Sequence, residues 1–196
     1  MLLKASNNNT KNVFILKCDI QKFFDSVDHN ILIRILRERI KDEKLMNLLI
    51  EVIDSFDGSQ SNLFERKGLP IGNLTSQLFA NVYMDKFDQY MKHVLKVKYY
   101  ARYTDDFVVI SDNKDYLLSL ITTISLFLSH ELKLTIHPKK IEIRKYSQGV
   151  DFLGYVVFPY HTQVRKRTLR RVRRKLDIKV KLYRADQIDK TKLDAT

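Results

Sequence analysis

The chain has 196 residues, 44% of them hydrophobic, and a formal net charge of +12. That length suits one domain with an appendage, and the apolar content is enough for a core, which excludes a mainly disordered chain. A pI near 9.7 favours a polyanionic partner. A single cysteine, Cys18, excludes an internal disulfide and fits a reducing compartment, while the absence of any apolar run of roughly 18 residues excludes a membrane helix. Met1-Leu2-Leu3-Lys4 is too short an apolar start for a signal peptide, so the chain is read as cytoplasmic, with no membrane partner.

In chain order, residues 1–12 read as a flexible lead-in, polar and turn-prone from Ala5 to Asn12. A first strand is predicted over 13–19, as Val13-Phe14-Ile15-Leu16-Lys17-Cys18-Asp19. Ser26 or Asp28 can cap a helix starting near His29, with Ile31, Leu32, Ile35, Leu36 and Ile40 at helical spacing. A second helix runs through Leu45, Leu48, Leu49, Val52 and Ile53 and is ended by Asp57-Gly58-Ser59. Gly68-Leu69-Pro70-Ile71-Gly72-Asn73 leads into a long helix whose inner side is predicted to hold Leu74, Leu78, Phe79, Val82, Phe87 and Met91. Strand, tight turn and strand occupy about 97–111, an amphipathic helix 114–131, and short strands 132–136, 141–145 and 151–157. From Arg165 to Lys175 there are eight basic residues and no acid, and Leu169, Val172, Leu176, Val180 and Tyr183 make a narrow apolar stripe along a helix that extends to about Arg184. So focused a charge favours a phosphate backbone as partner. The order of elements suits an α+β fold, a split βαβ antiparallel sheet with helices on one face.

The chemistry lies in Tyr103-Thr104-Asp105-Asp106. Two adjacent carboxylates at a hairpin tip repel each other, which is accounted for if a cation sits there. Asp is also favoured in hairpin turns for its backbone tolerance, so the pair alone leaves a plain turn open. Asp19, at the point where the first apolar strand stops, supplies a third acid. Three carboxylates from two strands suit two magnesium ions roughly 3.5–4 Å apart, the arrangement used in phosphoryl transfer.

The chain resembles the palm and the beginning of the thumb of a reverse transcriptase, an RNA-directed DNA polymerase. Asp19-Ile20-Gln21-Lys22-Phe23-Phe24-Asp25 is similar to the first palm motif, Gly68 to Gln77 to the second, and Tyr103-Thr104-Asp105-Asp106 to the third. His137-Pro138-Lys139-Lys140 resembles the fourth, and Phe152-Leu153-Gly154-Tyr155 the primer grip. Group II intron enzymes usually carry Gln-Gly-x-x-x-Ser-Pro in the second motif. Ile71-Gly72-Asn73-Leu74-Thr75-Ser76-Gln77 instead resembles the diversity-generating retroelement branch, with group II-like bacterial enzymes second.

The resemblance implies a palm over 13–160, the start of a thumb with a polar tail over 161–196, and template-directed DNA synthesis by two-metal nucleotidyl transfer. Asp19, Asp105, Asp106 and the Ile20 carbonyl would hold two magnesium ions, with manganese as a substitute, and Lys140, or Lys139 in its place, would neutralise or protonate the leaving pyrophosphate. Phe24 would be the aromatic gate that excludes a ribose 2′-OH, although Phe23 and Phe24 compete for one inward position. Gly68, Gly72, Ser76 and Gln77 would floor the nucleotide site. Gly154 and Tyr155 would support the primer, and Arg165, Lys166, Arg167, Arg170, Arg171, Arg173 and Arg174 would track the primer-template. Partners implied are an RNA template, a DNA primer, deoxynucleoside triphosphates and a basic accessory protein. Arg102 either pairs with a carboxylate near the hairpin or touches nucleic acid. The family's fingers segment has no counterpart in the dozen residues before the first strand, so the expectation is a piece whose activity needs completing. Two rival readings are a catalytically incompetent RNA- or protein-binding module, and a two-metal nuclease, which leaves Phe24 and the Gly72-to-Gln77 segment without a use.

Overall fold

The structure, a computed structural model, describes residues 1–56, 66–185 and 187. Asp57-Gly58-Ser59, expected to end the second helix, and most of the polar tail lie outside them. The chain divides into two compact units, Met1–Arg144 and Lys145–Thr196.

The first unit begins with a helical turn, α1 (Leu2–Ala5), followed by Asn7, Asn8 and Asn9, all at positive φ. Asparagine tolerates that region better than most side chains. Ser6 is fully buried in this segment, while most of its other residues are exposed. Then come β1 (Phe14–Asp19), the short α2 (Phe23–Ser26), α3 (His29–Arg39) and α4 (Glu43–Asp54). After α5 (Leu74–Gln89) the helix widens into a π turn, Tyr90–Val94. The hairpin β2 (Tyr100–Tyr103) and β3 (Asp106–Ser111), α6 (Lys114–Leu132) and β4 (Glu142–Lys145) follow.

Each long helix of this unit starts at a side chain that accepts from its first free amides: Asp28 for α3, Asp42 for α4, Asn73 for α5 and Asn113 for α6. These caps fix where the helices begin, and each is typically worth about 1 kcal/mol. Strand order is β2-β3-β1-β4, with β1 antiparallel to β3 and β3 antiparallel to β2. With helices between β1 and β2 and between β3 and β4, this is the α+β, split βαβ palm layout expected.

Alternation along the strands separates two faces. Leu16 and Cys18 of β1 and Ile20 just beyond it, with Phe107 and Val109 of β3, enter the core shared with α3, α5 and α6. On the other face stand Ile15, Lys17 and Asp19, opposite Ile110, Val108 and Asp106. A polar network ties the helix layer together: Lys133 Nζ lies 2.7 Å from Asp28 Oδ2, and the Tyr83 hydroxyl donates to the Leu132 carbonyl at 2.7 Å.

Two expectations about elements are corrected. Leu74 and Leu78 are not on the inner side of α5; they are 82% and 62% exposed, and the buried stripe is Ser76, Phe79, Ala80, Tyr83, Met84 and Phe87. Residues 132–136 make no strand, because Lys133 turns left-handed to end α6 and leaves one bridge, Ile20 to Ile136.

In the second unit β5 (Val150–Phe152), β6 (Tyr155–Val157) and β7 (Thr162–Val164) form an antiparallel sheet, followed by α7 (Lys166–Arg184). The single strand predicted over 151–157 is instead a hairpin. Leu153 at φ 52° and Gly154 at φ 86° make its turn, a conformation glycine adopts freely.

Candidate active site

Asp19 is the last residue of β1 and pairs directly with Asp106, the first of β3. Directly opposed residues project to the same side, so both carboxylates stand on the sheet face away from the helices. Asp105 precedes them in the turn, whose other residue, Thr104, sits at φ 55°. The Ile20 amide donates to the Asp105 carbonyl at 3.2 Å, which stitches the turn to the end of β1.

Electrostatics at the two acids of the turn are those of a site short of positive charge. Burial raises the Asp105 carboxyl above the usual range, and the negative charge of Asp19 adds to the rise. Burial likewise raises Asp106; Lys17 opposes the shift, while Asp19 and Asp105 reinforce it. A cation relieves such crowding.

Lys140 supplies one. The His137 amide donates to the Asp19 carbonyl and the Gln21 amide to that of Thr135, both at 2.8 Å, so residues 135–137 run beside the end of β1. A 3₁₀ turn, Pro138–Lys140, then carries Lys140 Nζ to 2.7 Å from Asp19 Oδ2. That hydrogen bond raises the lysine above its ordinary value, so it stays charged. Lys140, not Lys139, is the lysine that reaches an acid.

Hard oxygen donors of this kind fit magnesium better than a softer ion. Among the described residues, however, no three His, Cys, Asp or Glu side chains are already arranged as a metal cage. The donors fit the ion in chemistry and in charge, with the Lys140 ammonium on one of them.

The first and second motifs meet. Gly68 donates to the Val27 carbonyl and Leu69 to the Phe24 carbonyl, both at 2.8 Å. Phe23 is 2% exposed, whereas Phe24 is partly buried and meets it edge to face at 5.5 Å. The outward aromatic is therefore Phe24. Gly72, at φ 95°, and Gln77 are exposed. Ser76 is not with them: it is fully buried, and its hydroxyl finds no hydrogen-bond partner among the described residues.

In the second unit, Gly154 has open space where a Cβ would stand, and Tyr155 is 52% exposed. Arg165 donates to Asp151 from Nε at 2.8 Å, so its charge is engaged at the hairpin. Lys166, Arg167, Arg170, Arg171, Arg173, Arg174 and Lys175 are exposed on α7, a helix with no buried residue. RNA binding through such a surface is expected to weaken steeply with salt, with a log-log slope that becomes shallower by about 0.7 to 0.9 for each phosphate that a substitution leaves unneutralised. Titrations of Arg170→Ala and Arg173→Ala check this; a slope unchanged in both excludes α7 from the RNA interface.

Sequence reasoning left Arg102 open and passed over its partner. Arg102 lies opposite Phe107 and so faces the helices, where Nε and Nη2 donate to Asp88 of α5 at 2.9 and 2.7 Å. Tyr100 donates to the same carboxylate at 2.6 Å. Burial, with Asp88 adding its charge, holds the Tyr100 hydroxyl far above its usual pKa, so it remains a donor.

Residues 2–157 match the family described as reverse transcriptase (RNA-dependent DNA polymerase), and the chain belongs to that family. It is 24% identical to the putative COX1/OXI3 intron 2 protein of Saccharomyces cerevisiae over 74% of this chain and 24% of that protein. Protein YkfC of Escherichia coli is 26% identical over 81% of this chain and 49% of its own length. The group II intron-encoded protein LtrA of Lactococcus lactis is 23% identical over 70% and 33%. The chain thus spans between about a quarter and a half of these relatives. Among solved structures, telomerase from Candida tropicalis shares the fold at a TM-score of 0.62 and 15% identity in its complex with an RNA fragment, covering 84% of this chain and 32% of that one. None of the described helices is long and apolar enough to cross a membrane.

Proposed function

We propose that this chain is the palm of an RNA-directed DNA polymerase. The observation that carries the reading is the cross-strand pair of buried Asp19 with Asp106, beside Asp105 in the turn, three acids at one end of the sheet with raised carboxyls at Asp105 and Asp106. Asp19, Asp105 and Asp106, with the Ile20 carbonyl, would hold magnesium. Bound there, the metal supplies Lewis acidity to the primer hydroxyl and charge to the transferring phosphate.

The remaining work falls to the chain itself. Lys140, charged and with its side chain about half exposed, would release Asp19 and meet the leaving pyrophosphate, a general-acid role. Phe24, held by the Leu69 amide on its carbonyl, presents the ring that fills the space of a 2′-hydroxyl. Gly72 and Gln77 offer the exposed floor for the base pair, and Ser76 supports that floor from beneath. Gly154, Tyr155 and α7 bind the primer-template through its backbone, sequence-independently. Between the two branches, the intron-encoded relatives favour a group II-like enzyme, whereas the retroelement reading rests on Ile71 to Gln77. A basic accessory protein belongs to the latter reading alone.

Primer extension on an RNA template with a DNA primer, deoxynucleotides and magnesium tests the proposal. Extension supports it; intact RNA binding without extension favours the binding-module reading, to which α7, with no buried residue, also lends itself. Within an extending enzyme, Phe24→Val is expected to raise ribonucleotide incorporation relative to deoxynucleotide by about 10- to 200-fold, the discrimination that even a single methylene of fit in a pocket commands. An unchanged ratio with reduced stability would assign Phe24 to the core instead.

A further inference from the structure

We infer that Arg102 is a positioning residue for Asp105, acting from the back of the sheet by holding the peptide that carries it. Thr104 is β-branched and sits at φ 55°, a region such residues rarely occupy. Something must hold it there, and the structure shows two hydrogen bonds on consecutive carbonyls. Arg102 Nη1 donates to the Thr104 carbonyl at 2.9 Å, and the Ile20 amide donates to the Asp105 carbonyl at 3.2 Å. Both carbonyls of the turn are therefore fixed, one from the helix side and one from the residue that follows β1.

Arg102 is built for the task. Its side chain is 8% exposed, and its fork is anchored on Asp88 by two donors, with Nη1 also 3.4 Å from Asn81 Oδ1. Asp88 is held in turn by Tyr100, and both Asp88 and Asn81 sit on α5. The guanidinium thus refers the catalytic turn to a helix of the core. Only a planar fork can hold a carboxylate with two donors and still direct a third at a carbonyl; a lysine supplies the charge without that reach.

Arg102→Lys separates positioning from folding, since it leaves a cation against Asp88 and removes the bond to Thr104. Amide exchange is expected to speed up at residues 104–107 and at Ile20, with Leu16 and Val109 in the middle of β1 and β3 still protected. In primer extension, a readout that rests on the polymerase reading above, kcat is expected to fall about 10- to 100-fold, the effect of a small misplacement of a catalytic group, with the KM for deoxynucleotide unchanged. Adding Thr104→Gly, which removes the conformational penalty, is expected to restore much of kcat. Unchanged exchange at the turn, or a rise spread evenly over β1 and β3, overturns the inference, as does failure of the glycine to rescue. If the unsubstituted chain does not extend primers, the polymerase reading fails, and the exchange experiment still decides whether Arg102 clamps the turn.

Discussion

Asp105→Asn is expected to leave a folded protein that, if the proposed polymerase reading holds, is inactive in primer extension, with a rate loss of at least about 10² to 10³, the cost of removing one electrostatic stabiliser at a reacting phosphate. The substitution is isosteric, so the turn's backbone bonds to Ile20 and Arg102 survive. Its effect on stability should run the other way. Burial and the charge of Asp19 hold the Asp105 carboxyl above its ordinary value, so the folded state keeps its proton to higher pH than the unfolded state does. Between the two values the folded state binds more protons, and stability falls as pH rises through that window. Below the unfolded value both states are protonated and the penalty disappears. Without magnesium, the Asn variant is therefore expected to melt at or above the unsubstituted chain at neutral pH, with the gap closing on acidification. With magnesium the order reverses, because a ligand that binds only the folded state raises its melting temperature. Melting curves with and without the ion, at neutral pH and below the ordinary carboxylate range, check each part. An Asn variant that gains as much from magnesium as the parent does would remove Asp105 from the ion site.

That Asp19 meets the two-acid turn was legible in the sequence, because a strand that stops in an acid leaves that acid at the rim of the sheet; that Asp106 rather than Asp105 lies directly opposite it was not, since only the register of β1 and β3 sets that. Phe24 over Phe23 was not decidable, since adjacent aromatics differ only in which way α2 turns them. The inner face of α5 was misread for a physical reason. Leu74 and Leu78 fit a helical stripe as well as Phe79 and Phe87 do, but burial depends on what lies opposite, and the stripe that meets α3, α6 and the sheet includes the small Ser76 and Ala80. Arg102 marks the limit of local pattern most clearly. Its partner Asp88 is separated from it by a π turn and a loop, and only the folded hairpin brings the two together. Gly154 did carry a signal for the hairpin in what was read as one strand, through its freedom at positive φ.

Phe87→Ala is expected to cost the most stability of any single change here, about 3–5 kcal/mol, the range for deleting a buried aromatic ring. The ring is fully buried at the meeting point of three elements, edge to face with Tyr100 at 5.9 Å and Phe107 at 5.1 Å, and tilted against Phe127 at 6.1 Å. Its removal opens space beside β2, β3 and α6 at once, so no single side chain can relax to fill it. Domains are typically stable by about 5–15 kcal/mol, which makes this a large fraction of the whole. For a chain of this size, each kcal/mol lowers the melting temperature by about 2–4 °C, so a drop of about 6–20 °C follows. Phe87→Leu keeps most of the volume and should lose much less. Denaturant titration separates the two, with the midpoint moving and the slope unchanged if the native state stays compact. The change also reaches the two-acid turn, because Phe87 adjoins Asp88 on the helix that anchors Arg102. A loss under about 1 kcal/mol in Phe87→Ala would mean that α5 is not packed on the hairpin, and the anchoring of Arg102 would fall with it.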